Sequence, residues 1–286
     1  MSSIFLGVFL LAQAAPASEA EVLSRTVTVT VTDEKGAPVS GLAREDVALI
    51  ENGVARDVVS FSLDRRPLTV VFLLDTSEAI QPAYRLHVVP AVTAFFAGLP
   101  EGTQFALWTL GERPQKRVDY TDDKARVDQA LKRVAPAGGS TLLDALVEAT
   151  KDLKKKEGEH SAVVVVSATG PEFSSTYRER VVESALLPDT TFLSVLLEEG
   201  STDNENRTNY DFVLDGLAKK SGGVLANTLS SMGLDRELKG LLACLTAQYR
   251  LTYATPPELK QRKLEVTVAH PGTKVRIQSP PPAKKG

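Results

Sequence analysis

A continuous apolar run, LTVVFLLD at 68–75, constrains the fold of this chain more than any other feature. Two further apolar-rich segments, SAVVVVSA at 161–168 and TTFLSVLLE at 190–198, are also predicted to be strands. A strand with one buried face alternates apolar and polar residues, so an unbroken apolar run predicts a strand that is covered on both faces. Two more strands and six helical patterns occupy the intervals between and beyond these segments. The strands are predicted at 103–110 and 224–228, and the helices at 82–96, 122–134, 141–156, 177–187, 210–223 and 234–245.

This alternation of strands and helices predicts an α/β fold over residues 67–245. The expected architecture is a doubly wound, mostly parallel sheet with helices on both of its faces, as in Rossmann-like proteins. In such a sheet, loops that could bind a ligand gather at the carboxyl ends of the strands.

Both flanks of the α/β block have sequence patterns that are typical of antiparallel β-structure. RTVTVTVTD at 25–33 alternates threonine with valine, and Asn52-Gly53 within VALIENGVARDVVSFS is a strong hairpin dipeptide. Short β-type segments return in QYRLTYAT, RKLEVTVAH and KVRIQS near the other end. We therefore predict a small antiparallel β unit that is built from the flanks 21–66 and 246–279, although the sequence does not show that the two flanks pair.

The two ends of the chain carry separate signals. Residues 1–20, MSSIFLGVFLLAQAAPASEA, have a short apolar core that is followed by small residues, as in a secretion signal. The apolar core is too short to span a bilayer, so no integral membrane segment is expected after the signal is removed. The proline-rich end, 280–286, is predicted to be disordered. Export implies a secreted or periplasmic protein.

Composition and motifs argue against nucleic-acid binding and against catalysis. The net charge is −3 and the pI is about 5.8, which does not favour a nucleic-acid surface. His87, His160 and His270 fall in unrelated segments without ligand spacing, and we interpret each as a surface residue. Cys244, the only cysteine, lies in the apolar run LLACL and is interpreted as a small buried hydrophobe. No nucleophile elbow, phosphate-binding loop or dinucleotide fingerprint is present, so the protein is not expected to be an enzyme.

Polar residues follow the first buried strand and precede one of the helices. Asp75 and Ser77 come directly after LTVVFLL, and Thr141 stands at the start of the helix TLLDALVEATKDLKKK. Carboxylate and hydroxyl oxygens from converging loops are ligands that Mg²⁺ accepts together with several waters. The same residue types also cap helices and turns, so a purely structural role is an alternative.

The order of VVFLLDTSEAI at 70–80, GGSTLLDAL at 138–146 and VVVVSATG at 163–170 resembles a von Willebrand factor A domain. Together with the β-type flanks, the mature chain is similar to bacterial secreted proteins that carry von Willebrand factor A-related domains. In metal-dependent members of the family, a metal-ion-dependent adhesion site (MIDAS) takes D-x-S-x-S from one loop, a threonine from a second and an aspartate from a third.

Transferred residue by residue, the resemblance implies an incomplete MIDAS. Asp75, Ser77 and Thr141 match three of its five positions, whereas Ala79 replaces the second serine. The third loop reads Ser-Ala-Thr-Gly at 167–170, where the family pattern is Ser-Asp-Gly, so its carboxylate is missing. Because a dication would meet only one formal negative charge, no cofactor is expected, or only Mg²⁺ or Mn²⁺ at low affinity. Glu172 and the Thr169 hydroxyl could act as substitute ligands.

A long acidic segment, EEGSTDNENRTNYD at 198–211, is predicted to be a solvated loop on the same face as Asp75. It could also shape a partner site. Candidate partner-binding residues on this loop face are Glu78, Thr169, Glu172, Asp203 and Glu205.

The resulting functional hypothesis is a secreted protein–protein interaction module, for adhesion or assembly, with a degenerate MIDAS. Its expected partner is an unidentified protein in the cell envelope or outside the cell. The first alternative is a structural subunit of a cell-envelope complex, and the second is a cation-dependent ligand binder with a substituted ligand set. Exposed apolar area on the loop face would favour stable assembly, and a polar, mobile loop face would favour transient recognition.

Overall fold

The computed structural model describes residues 23–156, 160–198, 204–257 and 262–278. The predicted signal peptide, 1–20, and the predicted disordered tail, 280–286, lie outside the described residues. The strands are β1 (Leu23–Asp33), β2 (Val47–Glu51), β3 (Val54–Arg56), β4 (Val58–Leu63), β5 (Thr69–Leu74), β6 (Gln104–Thr109), β7 (Gln115–Thr121), β8 (Ser161–Ala168), β9 (Thr190–Leu197), β10 (Val224–Thr228), β11 (Gln248–Thr255), β12 (Leu264–Val268) and β13 (Thr273–Ile277). The helices are α1 (Gln81–Ala83), α2 (Val89–Gly98), α3 (Lys124–Arg133), α4 (Leu142–Leu153), α5 (Arg178–Ser184), α6 (Asn204–Ser221) and α7 (Leu234–Thr246).

A six-stranded sheet in the order β10-β9-β8-β5-β6-β7 forms the centre of the α/β block. All neighbouring pairs are parallel except β6 and β7. The apolar run and the two apolar-rich segments are β5, β8 and β9, and every residue of β8 and β9 is buried. Helices α2, α3 and α7 contribute to the core on one face of the sheet, and α4, α5 and α6 to the core on the other. The predicted fold class is therefore confirmed.

Strand β7, which runs antiparallel to β6 at the edge of the sheet, was not predicted. Its sequence, QKRVDYT, contains a single buried residue, Val118. An edge strand has only one neighbour and much solvent exposure, so it needs no apolar run. The apolar signal that reveals central strands is therefore missing here.

The acidic segment is not a loop along its whole length. Helix α6 begins at Asn204, so the prediction of a solvated loop over 198–211 is wrong for residues 204–211. The first turns of α6 are tied to the end of β9, because Nη2 of Arg207 lies 3.1 Å from Oε2 of the largely buried Glu198. The ion pair between Arg207 and Glu198 thus anchors the start of α6, which the charged sequence had not indicated.

Two antiparallel sheets are built from both flanks of the chain. One has the order β13-β1-β11-β4 and the other β12-β2-β3. Strand β1 pairs with β11 and with β13, so the amino- and carboxyl-terminal flanks form one β unit. Asn52 and Gly53 turn β2 into β3 with φ angles of 51° and 80°, as the hairpin dipeptide predicted.

The β unit packs against the amino ends of the parallel strands, opposite the loops that follow them. The His160 carbonyl accepts a hydrogen bond from the N–H of Thr69 (3.0 Å). His160 is only 4% exposed, and its Nε2 lies 2.6 Å from Oε1 of Gln248 on β11. The interpretation of His160 as a surface residue is therefore wrong, because the packing of β11 against this end of the sheet buries its ring. Cys244 is buried, as predicted, and burial raises the pKa of its thiol.

Among the described residues, no helix has the length and apolar content that a membrane crossing requires. The boundaries 66/67 and 245/246 between the flanks and the α/β block stay predictions.

Candidate functional site

Three loops, one after β5, one before α4 and one after β8, are joined by backbone hydrogen bonds. The N–H of Glu78 donates to the carbonyl of Gly138 (2.9 Å), which links the loop after β5 to the loop before α4. The N–H of Ser140 donates to the carbonyl of Pro171 (2.9 Å), and the N–H of Phe173 donates to the carbonyl of Ser140 (2.8 Å). We call this surface, formed by residues 75–80, 135–141 and 169–177 with the loop 229–233 after β10, the loop face.

Asp75 lies at the centre of the loop face and is completely buried. Its Oδ1 accepts a hydrogen bond from the N–H of Ser77 (2.8 Å). Its Oδ2 accepts from the N–H of Ala168 (2.9 Å) and from the hydroxyl of Ser167 (3.1 Å). Burial raises the pKa of the Asp75 carboxyl, although these donors act in the opposite direction. Asp75 therefore cross-links the ends of β5 and β8.

The other two residues matched to the MIDAS differ in how they are bonded. The Thr141 hydroxyl donates to the carbonyls of Gly111 (2.9 Å) and Leu110 (3.3 Å), which ties the start of α4 to the end of β6. The Ser77 side chain is 1% exposed, and its Oγ has no hydrogen-bond partner within the described part of the chain. The Ser77 hydroxyl nevertheless lies near the Asp75 carboxyl and lowers its pKa, whereas the Thr141 hydroxyl donates to carbonyls at the end of β6.

The third loop contributes one side chain to the apolar core and one buried hydroxyl. The Ala168 side chain belongs to the apolar core that contains Val164 and Val166, as strand alternation requires. The Thr169 hydroxyl is buried and has no hydrogen-bond partner among the residues that the structure describes. Gly170 approaches the loop after β5 so closely that a Cβ there would lie 2.7 Å from the Cβ of Ala79. Positions 79, 169 and 170 are therefore neighbours in space.

Two groups flank this cluster, the half-buried Glu172 and the buried Tyr210, and the sequence pointed only to Glu172. Glu172 accepts hydrogen bonds from the N–H of Ser174 (3.0 Å) and, at 3.3 Å, from that of Leu142, and burial raises its pKa. Tyr210 on α6 is fully buried, and its hydroxyl donates to the carbonyl of Gly170 (3.3 Å). Burial, and then the charges of Glu172 and Asp75, raise the pKa of the Tyr210 hydroxyl. Tyr210 lies in the part of α6 that the sequence predicted as a helix, 210–223, but nothing in the sequence marked it as a neighbour of this cluster.

The charge at the cluster is too small for a firmly held dication. Asp75 is its one fully buried carboxylate, and three donors already point at that group. The carboxylate of Glu172 is likewise engaged by backbone N–H groups. Within the described ranges no group of three or more His, Cys, Asp or Glu side chains could hold a metal ion. Mg²⁺ favours carboxylates and waters in an octahedron, so this donor set does not fit a tight Mg²⁺ site.

The candidate partner-binding residues differ in accessibility. Glu78 and Glu205 are exposed, Glu172 is half-buried and Thr169 is 7% exposed, while Asp203 lies outside the described residues. The structure does not test a role in binding for any of them, and these assignments stay predictions.

Large apolar side chains are exposed on the loop face. Tyr177 is 81% exposed and Phe173 is 68% exposed on the loop after β8. Leu229 and Met232, after β10, are 77% and 75% exposed. Phe173 also packs over Gly139, where a Cβ would meet its ring at 2.0 Å. Sequence reasoning missed all four, because single apolar residues in loops carry no periodic signal.

The family model of the von Willebrand factor type A domain matches residues 70–171. The match begins in β5 and ends in the loop after β8, so it contains two of the loops around Asp75 and the start of the third. Over these residues the chain is similar to the von Willebrand factor type A domain. No curated protein sequence matches the chain.

Solved structures of similar fold support this likeness. A von Willebrand factor type A protein from Catenulispora acidiphila is 11% identical with a TM-score of 0.55, over 91% of this chain and 73% of that one. Proximal thread matrix protein 1 from the mussel byssus is 16% identical with a TM-score of 0.50, over 73% of this chain and 50% of its own. This chain thus spans half the length of the mussel protein. Another structure of that mussel protein, with a zinc-occupied MIDAS motif, is 15% identical with a TM-score of 0.49, over 68% of this chain and 49% of its own.

Proposed function

We propose that this von Willebrand factor type A-like domain is a protein-binding module whose partner covers the loop face. The observation that supports this most directly is the exposure of Phe173, Tyr177, Leu229 and Met232 on the loops that follow parallel strands. Aromatic residues and methionine are enriched at protein interfaces, and a few such anchors usually carry most of the binding energy. The hydrogen bonds between the loops hold the underlying surface in one arrangement, which reduces the entropy lost on binding.

The apolar character of these side chains favours a stable complex over a transient one. Exposure of apolar surface to water is unfavourable, so binding of a partner that covers this surface lowers the free energy. A structural subunit of a cell-envelope complex is therefore the second candidate function, and it would use the same surface. We further propose a secreted or periplasmic location, with no role in catalysis or nucleic-acid binding.

Polar substitution of the loop face is expected to abolish capture of the partner. We predict that Tyr177→Ser combined with Met232→Ser weakens binding about thirtyfold or more, because the loss of even one such anchor costs about 2 kcal/mol. The measurement is affinity capture from a cell-envelope extract on immobilised protein, followed by titration of the captured component against the natural chain and the variant.

The matched control removes two apolar side chains from the opposite end of the molecule. Val54 and Val59 in the β unit are 51% and 50% exposed, and Val54→Ser with Val59→Ser should leave capture unchanged. Two results would contradict the proposed surface. Both pairs of substitutions could reduce capture of the partner equally, or the loop-face variant could still capture it.

We also propose that partner binding does not use a divalent cation and that the MIDAS is degenerate. Asp75, Ser77 and Thr141 supply one carboxylate and two hydroxyls, which is too little anionic oxygen for firm binding. A variant that restores the missing third-loop carboxylate should carry it at position 169. The Thr169 hydroxyl is buried without a partner in the described structure, whereas the Ala168 side chain belongs to the apolar core.

Calorimetric titration of Mg²⁺ and Mn²⁺ tests this proposal. Negligible heat is expected from the natural chain and saturable binding from Ala79→Ser combined with Thr169→Asp. At a hundredfold excess of Mg²⁺ over its Kd, that variant should melt about 5–10 °C higher than without the ion.

The comparison variant is Ala79→Ser combined with Ala168→Asp, which places a carboxylate in the apolar core. It should be destabilised and should not be rescued by Mg²⁺, because burial of an unpaired charge is costly. Micromolar Mg²⁺ binding by the natural chain would refute the degenerate site, and rescue of the Ala168→Asp variant would refute the assignment of position 169.

A further inference from the structure

A pocket of about 300 Å³ lies between the edge strand β7 and helix α3, and three arginines line it. Arg126 and Arg133 are on α3, and Arg117 is on β7. The remaining lining residues are Val118, Gln129, Ala130 and Val134, so no carboxylate is among the residues that line the pocket. This concentration of positive charge occurs in a chain whose net charge is −3.

The spacing of the lining residues explains why the guanidinium groups gather there. Arg126, Gln129, Ala130 and Arg133 have the i, i+3, i+4, i+7 spacing of one helical stripe. Arg126 and Arg133 are two turns apart, about 10.5 Å along the helix axis. Their long side chains can reach towards each other across the pocket from its two ends. Arg117 approaches from the strand and so completes a third side of the pocket.

The guanidinium groups in the pocket have few partners of their own. Within the described residues, Arg126 and Arg133 form neither an ion pair nor a side-chain hydrogen bond, and Arg117 uses only Nε, which donates to the Thr109 hydroxyl (3.1 Å). Arg85 stands at the end of α3 and donates to the carbonyls of Lys132 and Val134 (3.2 and 3.1 Å). Arg85 does not line the pocket, but its charge offsets the negative end of the α3 dipole.

We propose that this pocket binds a small ligand that carries one or two phosphate groups. A guanidinium presents planar pairs of N–H donors that match phosphate oxygens, and a phosphate offers several terminal oxygens that different arginines can share. The distance between the two ends of the stripe suits a diphosphate better than a single phosphate. The pocket is separate from the loop-face anchors, because β7 lies at the sheet edge opposite β10. The proposal therefore does not depend on the proposed function.

The test is titration of inorganic phosphate and pyrophosphate into the full chain at constant ionic strength, followed by NMR or calorimetry. Citrate serves as a carboxylate probe. Saturable binding is expected for both phosphates, tighter for pyrophosphate, with citrate weaker. Arg126→Gln and Arg133→Gln should each weaken pyrophosphate binding about tenfold or more, since each removes charge-assisted hydrogen bonds.

Lys132→Gln is the matched control, because Lys132 is exposed on the same helix and does not line the pocket. It removes one positive charge and should leave the affinity within about twofold. Thermal melting of each variant checks that the fold is intact. Absence of saturable phosphate binding, tighter binding of citrate, or an equal loss in Lys132→Gln and Arg133→Gln would each overturn the proposal, the last because it would indicate diffuse charge attraction.

Discussion

Replacement of Glu51 by alanine is expected to lower the free energy of unfolding by about 3–5 kcal/mol, the usual loss when one partner of a buried ion pair is removed. Glu51 is fully buried at the end of β2 and forms ion pairs with Arg56 and Arg262. Hydroxyl groups of Tyr253 and Thr255 on β11 also donate to it, at 3.1 and 2.5 Å. Because β2 and β11 belong to different sheets, the carboxylate holds the two halves of the β unit together.

Chemical denaturation of the natural chain and Glu51→Ala measures this loss. Glu45→Ala is the control, since the Glu45 side chain is 74% exposed, and it should leave the unfolding midpoint unchanged. Arg262 would be left buried without its carboxylate in the Glu51 variant, which is why a large effect is expected. A loss below about 1 kcal/mol would show that the network contributes little to stability.

The Glu51 prediction has a defined pH dependence. Burial alone would raise the pKa of Glu51, but hydrogen bonds from Thr255, Arg262 and Tyr253 outweigh it and lower the pKa below the ordinary 4.5. The stabilisation is therefore fully present above pH 4.5 and is lost as the pH falls through the lower value of the folded state. The difference in stability between the natural chain and Glu51→Gln should shrink over that acid range.

Replacement of Asp75 by alanine is expected to cost about 3 kcal/mol or more. The N–H groups of Ser77 and Ala168 and the hydroxyl of Ser167 would lose their acceptor in a fully buried place. Each buried donor that is left unpaired costs about 1–3 kcal/mol. Asp75→Asn keeps one accepting oxygen and should lose less.

Urea denaturation measures the Asp75 series, with Glu78→Ala as the control because Glu78 is exposed on the same loop. The pH dependence has the opposite sign to that of Glu51. The pKa of Asp75 is raised above the ordinary 3.8, so its contribution is greatest below pH 3.8 and declines as the pH rises through the folded-state value. A stability difference between the natural chain and Asp75→Asn that grows with pH would contradict this assignment.

The central strands β5, β8 and β9 were predictable because each is rich in apolar residues, and burial on both faces keeps such a segment out of water. Strand β7 was not predictable, since an edge strand with one buried valine has the composition of a loop. The helical start of α6 was hidden for a related reason: the ion pair between Arg207 and Glu198 anchors it, and a partner distant in sequence leaves no periodic pattern.

For the candidate site, the sequence by itself determined which oxygens are available: Asp75, Ser77 and Thr141 are there, and the second serine and the third-loop carboxylate are absent. Only the tertiary structure decided what those oxygens do. Asp75 accepts hydrogen bonds from the end of β8, Thr141 donates to the end of β6, and Ser77 and Thr169 are buried without partners among the described residues. Residue types follow from the sequence, but hydrogen-bond partners depend on which strand ends the fold brings together. The pairing of the two flanks through β1 and β11, residues more than two hundred positions apart, was settled by the fold for the same reason.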